Sequence, residues 1–194
     1  MKIIGITGGV GAGKSQVLSY IKDNFNCIVV LADDIANKLK EPNEVCYLPM
    51  LEVLGTDVLD DTGAIDKKKM AQVIFSNPEI LEKVNAIIHP AVIDRIKQMA
   101  DDARDSGKID YFFIEAALLI ENGFNDYVDE MWYIYARDEV RRLRLKESRG
   151  YSDEKIDSIM ASQLSEQEFR DNTDAVIDNS DDLNSTYRQI NRLL

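Results

Sequence analysis

The segment KIIGITGGVGAGKSQVLSYIKDNF, residues 2–25, constrains the chain more than any other stretch. An apolar run, Lys2 to Thr7, enters a cluster of glycines and leaves it into Val17, Leu18, Tyr20, Ile21 and Phe25 at helical spacing. That pattern reads as a buried strand, a tight turn and an amphipathic helix. Within it, Gly8-x4-Gly13-Lys14-Ser15 has the spacing of a phosphate-binding loop. Gly8, Gly9, Gly11 and Gly13 let the backbone turn sharply and aim N–H groups inward, while the following helix adds the positive end of its dipole. Lys14 is suited to neutralise β and γ phosphates, and Ser15 to ligate Mg²⁺. The loop leaves the destination of the phosphate open, since kinases, GTPase switches and motors all use one.

Four further apolar, β-branched or aromatic runs follow: CIVVL (27–31), YFFIEA (111–116), MWYIYA (131–136) and AVID (175–178). Each is followed by a polar turn or a helical pattern, so five strands alternate with helices in an α/β parallel sheet. Almost eighty residues separate the second and third strands, and much of that stretch, IDKKKMAQVIFSNPEILEKVNAIIHPAVIDRIKQMADDARDSG, reads as two or three helices with turns at Asn77, Pro78 and Gly107. This predicts a helical insertion forming one wall of a cleft. After the fourth strand, residues 137–169 read as two helices broken at Gly150, with Ser152 as N-cap of the second.

Composition narrows the function classes. A chain of 194 residues, 45% apolar and 30% charged, suits one domain with a full core. A net charge of −12 argues against nucleic-acid binding as the main task, because backbone phosphates call for a basic face. Cys27 and Cys46 have no metal-ligand spacing and read as reduced thiols. The opening apolar run is too short for a signal sequence, and no later run approaches the roughly 20 residues needed to cross a bilayer, so a cytoplasmic protein without membrane partners is expected.

Candidate acceptor-side residues come from placement. Asp33 and Asp34 lie just beyond the second strand, at the sheet edge where ligands bind. One of them can accept a proton from an attacking hydroxyl, or cap the helix that starts there. His89, the single histidine, stands among apolar residues beside Pro90, a setting more often that of a core or capping residue than of a site residue. Arg137, Arg141 and Arg144 share one helical stripe, and Arg142 and Arg149 another. They form either a solvated face paired with Glu139 and Glu147 or a mobile lid that brings cations to a migrating phosphoryl group. Downstream, DNTD and DNSD lack the lysine of a GTPase base-reading motif, and Glu115 at the end of the third strand is the nearest equivalent of a second metal-site carboxylate.

Taken together, these residues resemble the dephospho-coenzyme A kinases. The resemblance runs through GITGGVGAGKS, ADDIA, Glu41-Pro42, IFSNPE, NAIIHP, ALLIENG, SIMASQ and AVIDNS, in order, along nearly the whole chain. It implies a three-layer P-loop kinase fold of the nucleoside-monophosphate-kinase type, with a helical acceptor domain at about 60–105 and a lid at about 138–170. It also implies ATP held by Gly9, Val10, Gly11, Ala12, Gly13, Lys14, Ser15 and Gln16, with Asn179 near the adenine. Asp33 is the implied general base, with Thr7, His89, Leu118, Leu119 and Glu121 lining the acceptor and Arg144 and Arg149 acting from the lid. The implied activity is Mg²⁺-dependent phosphorylation of the ribose 3′-hydroxyl of dephospho-coenzyme A, the last step of coenzyme A synthesis, by a monomer or weak homo-oligomer. The sequence departs from the family pattern at Leu31 (often Asp), Ala117 (Pro), Glu115 (Asp) and Arg149, which falls one residue late.

Overall fold

The apolar runs become the strands of a single parallel sheet: β1 (Lys2–Thr7), β2 (Cys27–Leu31), β3 (Tyr111–Glu115), β4 (Glu130–Tyr135) and β5 (Ala175–Asp178), in the order β2-β3-β1-β4-β5. The computed structural model describes residues 1–116, 119–121 and 123–194. Only the third and fourth strands differ from the expected bounds, by one residue each. The fourth begins earlier because the Glu130 carboxylate bonds Lys2 and the Trp132 indole, which draws that residue into the ladder.

Central β1 is covered on both sides by chain, which explains its unbroken apolar sequence. Ile3, Ile4, Ile6, Phe112, Phe113, Ile114, Trp132 and Ile134 are all buried. Two carboxylates fix where strands begin: Asp129 accepts the N–H of Ile3 at 2.7 Å, and Asp174 accepts that of Met131 at 2.7 Å. The register sets Ile6 beside Glu115 and Thr7 beside Tyr133, so β1 and β3 end within one residue of each other while β4 runs two residues further. Because the chain leaves β1 toward one side of the sheet and returns to the other at β4, the carboxyl end of β1 is the topological switch point where α/β sheets bind ligands.

The chain divides into two compact units, 1–29 with 106–194, and 30–105. The first contains the sheet except the last two residues of β2, with α1 (Lys14–Asn24), α6 (Asp138–Arg149), α7 (Asp153–Ala161), α8 (Glu166–Asp171) and α9 (Leu183–Leu193). Where the sequence suggested two helices after the fourth strand, three form. Ser165 and Glu168 make a reciprocal capping box that starts α8 within four residues of the end of α7. Ser152 caps α7 as expected, accepting from the Lys155 N–H. The second unit holds α2 (Ala32–Lys38), α3 (Tyr47–Leu54), α4 (Lys67–Ser76) and nearly all of the 29-residue α5 (Pro78–Ser106). Asn77 and Pro78 do separate α4 from α5, and Gly107, at φ 63°, ends α5. Pro90 does not break α5, although a helix-interior proline forfeits one backbone bond.

Both cysteines are free, and burial raises both thiol pKa values, so neither is a ready nucleophile. No helix among the described residues is long and apolar enough to cross a membrane.

Phe113 lies edge-on to Trp132, with ring centroids 5.8 Å apart, and is fully enclosed. Replacing it by alanine opens a cavity in the middle of the sheet and is expected to cost about 3–5 kcal/mol. Urea unfolding should show a lower midpoint with an unchanged slope; a loss under 1 kcal/mol contradicts this account of the core.

Candidate functional site

The loop between β1 and α1 is shaped by what its carbonyls bind. Gly8 O accepts from Lys14 Nζ at 2.8 Å, and Val10 O from Arg141 Nε at 2.9 Å. Ala12 O accepts from Asn179 Nδ2 at 2.8 Å and from Arg144 Nη1 at 3.2 Å. With these carbonyls engaged by donors from α6 and from the turn after β5, the loop has a fixed outer side. Two glycines are then required by space and backbone angle. Gly8 (φ 145°) has the Ile134 carbonyl where a Cβ would go, and Gly13 (φ 88°) has the Asn179 amide there.

The start of α1 differs from those of four helices that side chains cap. Side chains cap α4, α7, α8 and α9, through Asp66, Ser152, Ser165 and Asp182. No side chain caps α1, and its first turn carries no acidic residue. A helix start left in that condition behind a glycine loop is a seat for an anion. Lys14, with its side chain 15% exposed, supplies a cation beside it; its ammonium is 3.5 Å from Glu115 Oε1 as well as bonded to Gly8 O. Ser15 and Gln16 follow on the exposed face of the first turn.

The expected ATP-side residues are therefore gathered in one unit. Asn179 holds the loop directly: fully buried, it bonds Ala12, takes the Thr186 hydroxyl on Oδ1 at 3.0 Å and offers its own carbonyl to Arg144 Nη2 at 2.8 Å. Arg141 and Gln163 were not among the expected site residues, yet Gln163 Oε1 accepts from Arg141 Nη2 at 2.8 Å and from the Val10 N–H at 3.2 Å. The shared stripe of Arg141 and Arg144 was the legible signal for the first. Gln163 had none from periodicity, because it lies in the turn after α7. Arg149 is exposed and lies 5.9 Å over the Tyr151 ring, away from the loop contacts that Arg141 and Arg144 make. Arg137 and Arg142 pair with Asp181 and Asp157 on the surface.

The expected acceptor-side residues fall in both units. Thr7, at the end of β1, is fully buried, and its hydroxyl finds no hydrogen-bond partner among the described residues. Leu119 is enclosed and Glu121 exposed; Leu118 and Ala117 lie outside the described residues. Burial pushes the Tyr133 phenol, beside Thr7 in the register, up to about 12, so it is neutral at physiological pH. In the second unit Asp33 and Asp34 occupy the first turn of α2, both exposed, and neither caps the helix with its side chain. The capping alternative is thus not the one adopted. His89 is half-buried on α5.

Among the described residues no group of three His, Cys, Asp or Glu side chains is arranged to hold a metal ion. Mg²⁺ at phosphate sites takes most of its oxygens from phosphates and water and one or two from protein, so the hydroxyl of Ser15 and the carboxylate of Glu115 are a fitting donor set.

Asn179→Ala strips the Ala12 carbonyl and the Thr186 hydroxyl of a buried partner. The expected loss is about 1–3 kcal/mol of stability, together with weaker triphosphate binding. Calorimetric Tm and nucleotide titration measure the two, and a variant unchanged in both contradicts the clamp.

The family model described as Dephospho-CoA kinase matches residues 2–185. A dephospho-CoA kinase of Carboxydothermus hydrogenoformans is 33% identical over 194 residues, covering 100% of this chain and 93% of that protein. One of Streptococcus mutans is 32% identical over 193 residues, covering 100% and 96%. Among solved structures, the dephospho-CoA kinase from Campylobacter jejuni superposes with a TM-score of 0.73 at 21% identity, covering 98% of this chain and 94% of that one. A glycine loop built at the switch point of this sheet, in a chain aligned end to end with such relatives, places the protein in the dephospho-CoA kinase family.

Proposed function

We propose that this chain transfers the γ-phosphoryl group of ATP to the ribose 3′-hydroxyl of dephospho-coenzyme A, giving coenzyme A and ADP in the last step of coenzyme A synthesis. The observation that carries the reading is the uncapped start of α1 behind a loop whose carbonyls are held by Arg141, Arg144 and Asn179, in a chain of this family.

In this reading Gly9 to Gln16 bind the phosphates of ATP through backbone N–H groups. The Lys14 ammonium exchanges its contact with Gly8 O for the β and γ phosphates, lowering the energy of charge that builds on the bridging oxygen. Ser15 and Glu115 would hold Mg²⁺, which when bound would supply the divalent charge that phosphoryl transfer requires. Asp33 accepts the proton of the 3′-hydroxyl as the oxygen attacks phosphorus in line, and ADP departs with the bridging oxygen. Asp33 is exposed on the first turn of α2, open to an incoming hydroxyl. Thr7, His89, Leu118, Leu119 and Glu121 line the acceptor; the unpartnered Thr7 hydroxyl offers it a hydrogen bond. Residues 138–170 act as the lid over a single P-loop domain with its acceptor part at about 60–105, and Arg144 and Arg149 bring their charge to the phosphoryl group on closure. The protein works in the cytoplasm as a monomer or weak homo-oligomer.

A coupled assay of ADP release with dephospho-coenzyme A, nucleoside monophosphates and small alcohols tests the acceptor. Stimulation by dephospho-coenzyme A alone is expected; none above background ATPase rules the reading out. Asp33→Asn should lower kcat about a hundredfold or more while changing the KM for ATP little, since a base acts on the acceptor's proton. Near-normal turnover in that variant removes Asp33 from the base role.

A further inference from the structure

The second unit contains a cavity of ≈160 Å³ between the end of α2 and the start of α4, lined by Asn37, Lys40, Glu41, Ile65, Lys67 and Met70 among others. Its wall is well defined. The turn Asp60–Gly63 is closed by the Asp60 carboxylate, which accepts from the N–H groups of Thr62 and Ala64, and Leu59 bridges Ile65 in antiparallel fashion. Asp66, the residue before Lys67, has its Oδ1 committed to the N–H groups of Lys68 and Lys69.

What is unusual is the charge on this wall. Lys40 is half-buried and the exposed Lys67 lines the same cavity, and none of the salt bridges among the described residues includes either. Glu41 lines the cavity from its rim but is exposed and within ion-pair distance of neither lysine. Burial lowers the pKa of Lys40, the nearby Lys67 ammonium lowers it further, and Asp33 pulls the other way. Two like charges sharing a concavity in a strongly acidic chain cost energy unless an anion joins them.

Asp33, Asn37 and Lys40 stand at i, i+4 and i+7, on one stripe of α2 and the turn that continues it, where the Lys40 N–H still bonds Asn37 O. About 10 Å of helix rise separates Asp33 from Lys40. One ribose, its 5′-oxygen and an outstretched lysine side chain bridge such a span.

We infer that this cavity seats the pyrophosphate of the acceptor, with Lys40 and Lys67 as its cations and the Asn37 amide as a neutral donor. The inference rests on the acceptor proposed above and extends it. Asp33 at one end of the stripe meets the 3′-hydroxyl, and the cavity at the other end holds the 5′-linked diphosphate, so the two fix the ribose between them. An acceptor without a 5′-phosphate loses the second hold.

The test uses the full chain with its ATP site filled by a non-hydrolysable ATP analogue. Inorganic pyrophosphate is titrated by calorimetry against the wild type and the double variant Lys40→Gln/Lys67→Gln. Saturable binding that the double variant loses is expected. In the kinase assay each single variant should raise the KM for dephospho-coenzyme A roughly tenfold, leaving the KM for ATP in place. Lys68→Gln, which removes the same charge from a neighbouring position outside the cavity, should raise it less than twofold. Pyrophosphate binding that survives in the double variant overturns the inference, and so does a KM change no larger than that of Lys68→Gln. If wild type fails to phosphorylate dephospho-coenzyme A while the double variant loses pyrophosphate binding, the acceptor is wrong and the anion site stands.

Discussion

The hold on the carbonyl side of the glycine loop is the constraint from which the rest of the site follows. A backbone that turns its N–H groups toward one side must send carbonyls to the other, and buried carbonyls without partners are costly. Here Val10 and Ala12 are met by Arg141, Arg144 and Asn179, brought to the same few ångströms by two lengths of chain, α6 and the turn after β5. Asn179 can do so because β5 pairs with β4, which pairs with β1, so the turn after β5 ends level with the loop. The sheet order is thus a requirement of the loop as much as its support.

This gives α6 two tasks. Its inner stripe, Arg141 and Arg144, holds loop backbone, while Arg142 and Lys146 pair outward with Asp157 and Asp153 of α7. A helix so employed is anchored at the loop, and the closure proposed above would have to proceed by re-aiming guanidinium groups or by moving its far end, where Arg149 is exposed and Gly150 turns the chain at φ 62°. Arg144 has the shorter path, since one of its nitrogens already lies 3.2 Å from the Ala12 carbonyl.

All five strands were legible in the sequence because a parallel sheet buried on both faces leaves apolar runs bounded by polar turns. The glycine loop was legible because its backbone tolerates no other residue at Gly8 and Gly13. Asn77, Pro78, Gly107 and Ser152 marked helix ends through local chemistry that needs no tertiary context. What escaped was what tertiary contact decides. The start of α8 is set by the Ser165–Glu168 box, a weak local signal inside a run already read as helical. Gln163 takes its place from Arg141 and Val10, which only folding brings to it, and the paired lysines of the cavity lie 27 residues apart with nothing in their spacing to link them. Asp33 and Asp34 were correctly set at the start of a helix, but whether they cap it depended on backbone angles at Leu31, which takes the N-cap position instead.

A net charge of −12 and polyanionic substrates are compatible only if recognition is short-ranged. At physiological ionic strength charge effects between exposed groups fade over about 8 Å, so the acidic surface does little to repel an anion once it reaches a cation-lined recess. The cations have to be concentrated and partly withdrawn from water, where each interaction is stronger. Lys14, Arg141 and Arg144 meet that condition, being half-buried against the loop. Lys40 meets it in the other unit, where burial already makes its positive charge harder to hold. Arg104, Arg137 and Arg170, by contrast, stand exposed beside carboxylates and are cancelled locally. The half-buried cations at the loop and Lys40 in the cavity are therefore placed to discriminate among anions, and an acidic exterior sharpens that discrimination.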